Sequence, residues 1–106
     1  MKKYEIIFSD KIFRKLKKYK NKKDIQKILS KMFNKIETKG PSAGKLLDLK
    51  LSLYEIKNKK PPLRLYFEVI FKDRKAEIID FQMKTSKDNQ NRFIELIKSY
   101  IRKKFD

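Results

Sequence analysis

Cysteine and histidine are both absent from this chain, and each absence narrows what it can do. Without cysteine there are no disulfides and no thiolate metal sites, which fits a reducing compartment. Without histidine the commonest general base near neutral pH is missing. Serine-protease and papain-type triads are excluded, as are histidine-based zinc sites. Acid–base work, if there is any, falls to Lys, Arg, Tyr, Asp or Glu. Glycine and proline are scarce too, with 2 and 3 copies, so breaks between elements should be few and legible. No apolar run approaches the roughly 18 residues of a membrane span, and no signal-peptide core follows Met1-Lys2-Lys3. A soluble, cytoplasmic protein without membrane contact is expected.

What is abundant is positive charge. Thirty Lys and Arg stand against 13 Asp and Glu, a net +17 in 106 residues. Such a field concentrates polyanions and speeds their association. AT-rich coding also inflates Lys, Asn, Ile and Phe, so charge alone does not define a site. Apolar residues still make up 40% of the chain, with 8 Phe and 5 Tyr. They are periodic, so one folded domain over residues 1–106 is expected and disorder is not.

Tyr4, Ile6 and Phe8 alternate in a first strand. Ser9-Asp10 offers a helix N-cap, followed by Ile12, Phe13, Leu16 and Tyr19 at helical spacing. Asp24 is a second candidate cap. Ile25, Ile28, Leu29, Met32 and Ile36 then form one buried stripe. Thr38 to Gly44 holds both glycines and is a loop. Leu46 to Ile56 reads as extended, with a phase shift and a bulge near Leu53. Asn58 to Pro62 is a turn. Strands follow over Arg64–Phe71 and Ala76–Lys84, joined by the turn Lys72–Lys75. Phe93, Leu96, Ile97, Tyr100 and Ile101 mark a last helix. The pattern predicts an α+β fold in the order β-α-α-β-β-β-α. One antiparallel sheet carries a helical hairpin on one face, and a C-terminal helix ends the chain.

Period-2 alternation divides the central strands. Tyr54, Ile56, Leu65, Phe67, Val69, Phe71, Ile79, Phe81 and Met83 are expected toward the hairpin. Glu55, Lys57, Arg64, Tyr66, Glu68, Asp80, Gln82 and Lys84 are then expected on the other face. That face reads either as a solvated surface of cross-strand ion pairs or as a concave site for an RNA phosphate anchored by Arg64.

The element order, the LYEIK and LRLYFEVI strands and the closing FQMKTSKDNQ before the last helix resemble the RelE/ParE toxin superfamily. The HigB-like, phage-derived branch is the most similar. The resemblance implies a toxin neutralised by a cognate antitoxin protein. RelE-like members cut messenger RNA in the ribosomal A site, with no metal or other cofactor. The 2′-hydroxyl attacks the adjacent phosphodiester and leaves a 2′,3′-cyclic phosphate. By position, Arg64 matches the phosphate-binding arginine and Lys57 a strand lysine serving as base or phosphate contact. Glu55 would orient them or act as a base, and Lys84 matches the basic position after the last strand. Around these, Lys45, Lys59, Lys60, Tyr66, Gln82 and Lys87 are expected along the RNA path. ParE-like topoisomerase inhibition and nucleic-acid binding without catalysis are the alternative readings of the same fold.

Overall fold

Ser9 starts the first helix as its sequence position predicts. It sits in extended conformation, and its hydroxyl accepts a hydrogen bond from the Ile12 amide. The computed structural model describes residues 3–83 and 86–103. In it, β1 (Glu5–Phe8) leads to α1 (Asp10–Lys18) and α2 (Lys23–Lys39). Lys15, Lys17 and Lys18 fall in the last turn of α1, where cations oppose the helix dipole. Asp24 is not the cap of α2. Lys22 takes that place without a side-chain bond, and Asp24 lies inside the first turn, where its charge still favours the helix N-terminus. Gly40 ends α2 at φ +58°, in the left-handed region, against the ring of Tyr4.

The sheet continues with β2 (Lys45–Asp48), β3 (Leu53–Asn58), β4 (Leu63–Ile70) and β5 (Lys75–Met83), and α3 (Lys87–Lys103) closes the chain. The expected long segment from Leu46 to Ile56 is therefore two strands, with the turn 49–52 between them. Strand order is β1-β5-β4-β3-β2. The sheet is mixed and not wholly antiparallel, because β1 pairs parallel with β5. The reason is directional. The helical hairpin returns the chain to the end where β1 stopped, so β2 runs against β1. Three hairpin reversals later, β5 runs with β1.

The sheet has apolar residues on both faces. Toward the hairpin, Ile56, Leu63, Leu65, Phe67, Val69, Ala76, Ile78 and Phe81 pack on Ile12, Ile25, Leu29, Met32 and Ile36. Toward α3, Leu53, Tyr66 and Ile79 pack on Ile97 and Ile101, flanked by Leu47, Leu51, Phe93, Ile94 and Tyr100. The second face is therefore not an open polar surface. A register shift makes this possible: Tyr66 pairs with Asp80 but Phe67 pairs with Ile78. Ile79 is the extra residue of a β-bulge. It turns toward α3 and not toward the hairpin, where the alternation places it, and Ile78 packs on the hairpin side instead. Three aromatic or aliphatic side chains expected inside lie at the surface: Phe13, Phe71 and Leu96. Phe71 opens a short 3-10 turn beyond the end of β4. Among the described residues no helix is long and apolar enough to cross a membrane.

Ile97→Ala and Ile101→Ala should each cost about 2–5 kcal/mol in denaturant unfolding, as buried aliphatic truncations do. A solvated second face would make both changes nearly neutral.

Candidate functional site

Strand register brings the candidate residues together in two rungs, two residues apart along each strand. Lys57 pairs with Arg64, and Arg64 with Gln82. Next to it, Lys45 pairs with Glu55, Glu55 with Tyr66 and Tyr66 with Asp80. α3 covers one end of this face, over Tyr66 and Ile79. Beyond its N-terminus the face opens into a cleft of about 500 Å³. Its lining includes Lys35 of α2, Lys45 of β2, Glu55 and Lys57 of β3, Arg64 of β4 and Gln90 of α3. Four cations thus surround one carboxylate among the described lining residues.

Two features of the backbone give the cleft its shape. β2 pairs with β3 only as far as Lys45 and Glu55, so Ile56 and Lys57 lie beyond the last paired position. Gly44 approaches β3 so closely that a Cβ there would sit 2.5 Å from the Glu55 carbonyl oxygen. Only glycine permits that contact without displacing a strand.

Arg64 is held but not saturated. Its Nη1 lies 3.6 Å from Glu55 Oε1, and the two side chains are 15% and 9% exposed. Its Nε is buried and has no hydrogen-bond partner among the described residues. The other Glu55 oxygen accepts from Gln90 Nε2 at 2.8 Å. A guanidinium with spare donors in a fixed fork is suited to the non-bridging oxygens of a phosphate. Lys45 and Lys57 are exposed at the rim.

Several expected contacts sit elsewhere. Tyr66 is fully buried, so its phenol is not a surface for RNA. Its ring packs on Phe93 at 5.7 Å, and its hydroxyl donates to Gln82 Oε1 at 2.9 Å. Burial lifts the Tyr66 pKa far above its usual range. The Glu55 and Asp80 charges act in the same direction, and a Gln90 hydrogen bond and the Arg64 charge act against it. Asp80 does not share the Arg64 cluster. Beside the bulge it meets α1, with Lys15 Nζ 2.8 Å from Oδ1 and Lys11 Nζ 3.3 Å from Oδ2. Lys15 also donates to the Phe81 carbonyl and lies 4.6 Å from the Phe81 ring centroid. Glu68 is buried away from the cleft lining. Lys59 and Lys60 are exposed in the turn after β3, and Lys87 is exposed at the start of α3. Lys84 lies outside the described residues.

A larger cleft of about 930 Å³ lies beside α1, lined by Asp10, Lys11, Arg14, Lys15, Lys18 and Asp80 among others. There Asp80 engages two of the cations, and among the described residues no arginine of that cleft has a buried, unpartnered nitrogen. The smaller cleft is the one that holds an incompletely paired arginine. Among the described residues no cluster of three or more carboxylates is arranged to hold a metal ion.

Lys35 and Gln90 were not legible as site residues. Lys35 is one of many lysines on the polar side of α2, and Gln90 follows a helix cap in an ordinary polar run. Only the tertiary fold brings them to Glu55.

No protein-family model matches the chain, and no curated protein matches it in sequence. Solved structures do match. A free-state mutant of the Escherichia coli toxin RelE superposes with a TM-score of 0.67 at 18% identity, covering 92% of this chain and 99% of that one. The isolated E. coli RelE toxin gives a TM-score of 0.61 at 19% identity, covering 88% of this chain and 98% of that one. The intact E. coli RelBE toxin–antitoxin complex gives 0.59 at 20% identity, covering 78% of this chain and 99% of that one. The chain has the RelE fold.

Tyr66→Phe should cost about 1–3 kcal/mol near neutrality, because Gln82 Oε1 loses the phenol that donates to it. The raised phenol pKa gives this difference a pH dependence. Its stabilising share is complete below the unfolded-state value of about 10 and is lost as pH rises toward the higher folded-state value. Urea unfolding of both proteins above pH ~10 should show the gap narrowing.

Proposed function

We propose that this protein is the toxin of a toxin–antitoxin pair and that it cleaves messenger RNA at the Arg64 cleft. The observation that carries this reading is the under-satisfied, largely buried Arg64 set among three lysines at the open end of a RelE-type sheet. A +17 chain draws RNA to its surface, and the cleft supplies the place where one phosphodiester can be fixed.

The reaction is an internal transesterification. The 2′-oxygen attacks the neighbouring phosphorus, the bond to the 5′-oxygen breaks, and a 2′,3′-cyclic phosphate and a 5′-hydroxyl result. Arg64 binds the non-bridging oxygens and the charge that grows on them, which requires no change in its protonation. Glu55, the one carboxylate among the described cleft-lining residues, accepts the 2′-hydroxyl proton. Lys57, directly across from Arg64, donates a proton to the departing 5′-oxygen. Lys35 and Lys45 hold the flanking backbone, and Lys84 is a further cation by resemblance. Lys59, Lys60 and Lys87 extend the positive path. The work is done in the cytoplasm, on the ribosome. A cognate antitoxin with an acidic segment silences it, as the RelBE complex pairs a RelE toxin with its antitoxin.

Purified protein incubated with messenger RNA and ribosomes should produce cyclic-phosphate ends. Arg64→Ala should slow cleavage about 10²–10³-fold, the usual loss on removing a transition-state anion donor. Arg64→Lys should recover only part of it, because the fork is lost. Wild-type rates in Arg64→Ala, or intact RNA together with inhibited DNA supercoiling, contradict the proposal.

A further inference from the structure

The cleft is tied to α3 by a side chain that belongs to neither the sheet nor the hairpin. Gln90 donates from Nε2 to Glu55 Oε2 at 2.8 Å, across 35 positions of sequence. Its side chain also lies close enough to the Tyr66 phenol to act against the rise in that group's pKa. Tyr66 in turn donates to Gln82 Oε1 at 2.9 Å, and Glu55 faces Arg64 through its other oxygen at 3.6 Å. These side chains form one polar cluster, in which Gln90 is bonded directly to Glu55 and Glu55 faces Arg64.

Gln90 is set in a capped first turn of α3. The Asn89 amide donates to Ser86 Oγ at 3.2 Å and the Gln90 amide to the Ser86 carbonyl at 3.0 Å, closing the first turn of α3. Phe93, three residues on and on the same side of the helix, packs on Tyr66. A buried carboxylate without such a donor would swing to find one. With it, Glu55 stays beside Arg64.

We propose that Gln90 is the positioning residue of the cleft, fixing the Glu55 carboxylate so that Arg64 and the proton acceptor present one geometry to the phosphodiester. This rests on the RNA-cleaving reading for its consequence but not for its structural content. Gln90 does not touch the reacting atoms. It acts through Glu55.

Gln90→Met tests this, since methionine keeps the length and packing but has no donor. Three readouts are needed: single-turnover cleavage, affinity for an RNA oligonucleotide with a 2′-deoxy cleavage position, and the Arg64 Nε–Hε resonance in nitrogen-15 NMR. The cleavage rate at saturating RNA should fall about tenfold to a hundredfold, the scale of a small misplacement of a catalytic group. Affinity for the uncleavable RNA should hold, and the Arg64 resonance should shift or broaden. Gln90→Ala should behave alike if methionine perturbs packing. An unchanged Arg64 resonance in both variants overturns the proposal, as does wild-type cleavage by either. If the wild-type protein leaves RNA intact, the functional reading falls, and the Arg64 resonance still decides the role of Gln90.

Discussion

The docking of α3 across half of the second sheet face is the constraint on which the site depends. It removes Tyr66, Ile79 and Leu53 from water and ends where Gln90 meets Glu55. Under the helix, polar groups must be satisfied internally, since an unpaired buried group costs more than a made bond returns. Past its N-terminus they are free to face a ligand. The boundary between structural and functional polarity is therefore set by where one helix begins. Arg64 sits on that boundary, buried enough to escape screening and open enough to keep donors in reserve.

The same logic separates two kinds of charge on this protein. Asp80, with Lys11 and Lys15, fastens α1 to β5, and its carboxylate also takes the Phe81 amide at 2.8 Å. In that cluster both lysines are engaged by the one carboxylate. Around Glu55, cations outnumber carboxylates and the arginine is incompletely paired. Lysine-rich coding can supply surplus charge anywhere on a surface, but it does not bury an arginine beside a carboxylate held by a glutamine. The local arrangement, and not the total of +17, distinguishes the cleft.

Much of this was legible locally. The Ser9 cap, the Ile25–Ile36 stripe and the hairpin face of β3 and β4 follow from spacing alone, because each is decided within one turn or one pleat. Lys57, Glu55 and Arg64 could be placed together because antiparallel register follows from the alternation, whereas Lys45 came only with the family resemblance. The bulge was hidden because the adjacent Ile78 and Ile79 satisfy either phase, so Asp80 was assigned to the wrong neighbours. Tyr66 was misread for the related reason that a tyrosine between Arg64 and Glu68 looks solvent-facing until a helix is laid over it. Leu96 and Phe13 satisfied helical spacing but lie at the outer margins of their stripes. Gln90 had no local signature at all, since its partner Glu55 lies 35 positions away on β3.

The central claim is that RNA engages the Arg64 cleft and not the larger cationic groove along α1. An amide chemical-shift titration with a 2′-deoxy-substituted RNA oligonucleotide tests it most directly. The account predicts the largest shifts at Gly44, Lys45, Ile56, Lys57 and Arg64, with α1 little affected. Dominant shifts around Arg14 and Lys18, with the cleft silent, would contradict it.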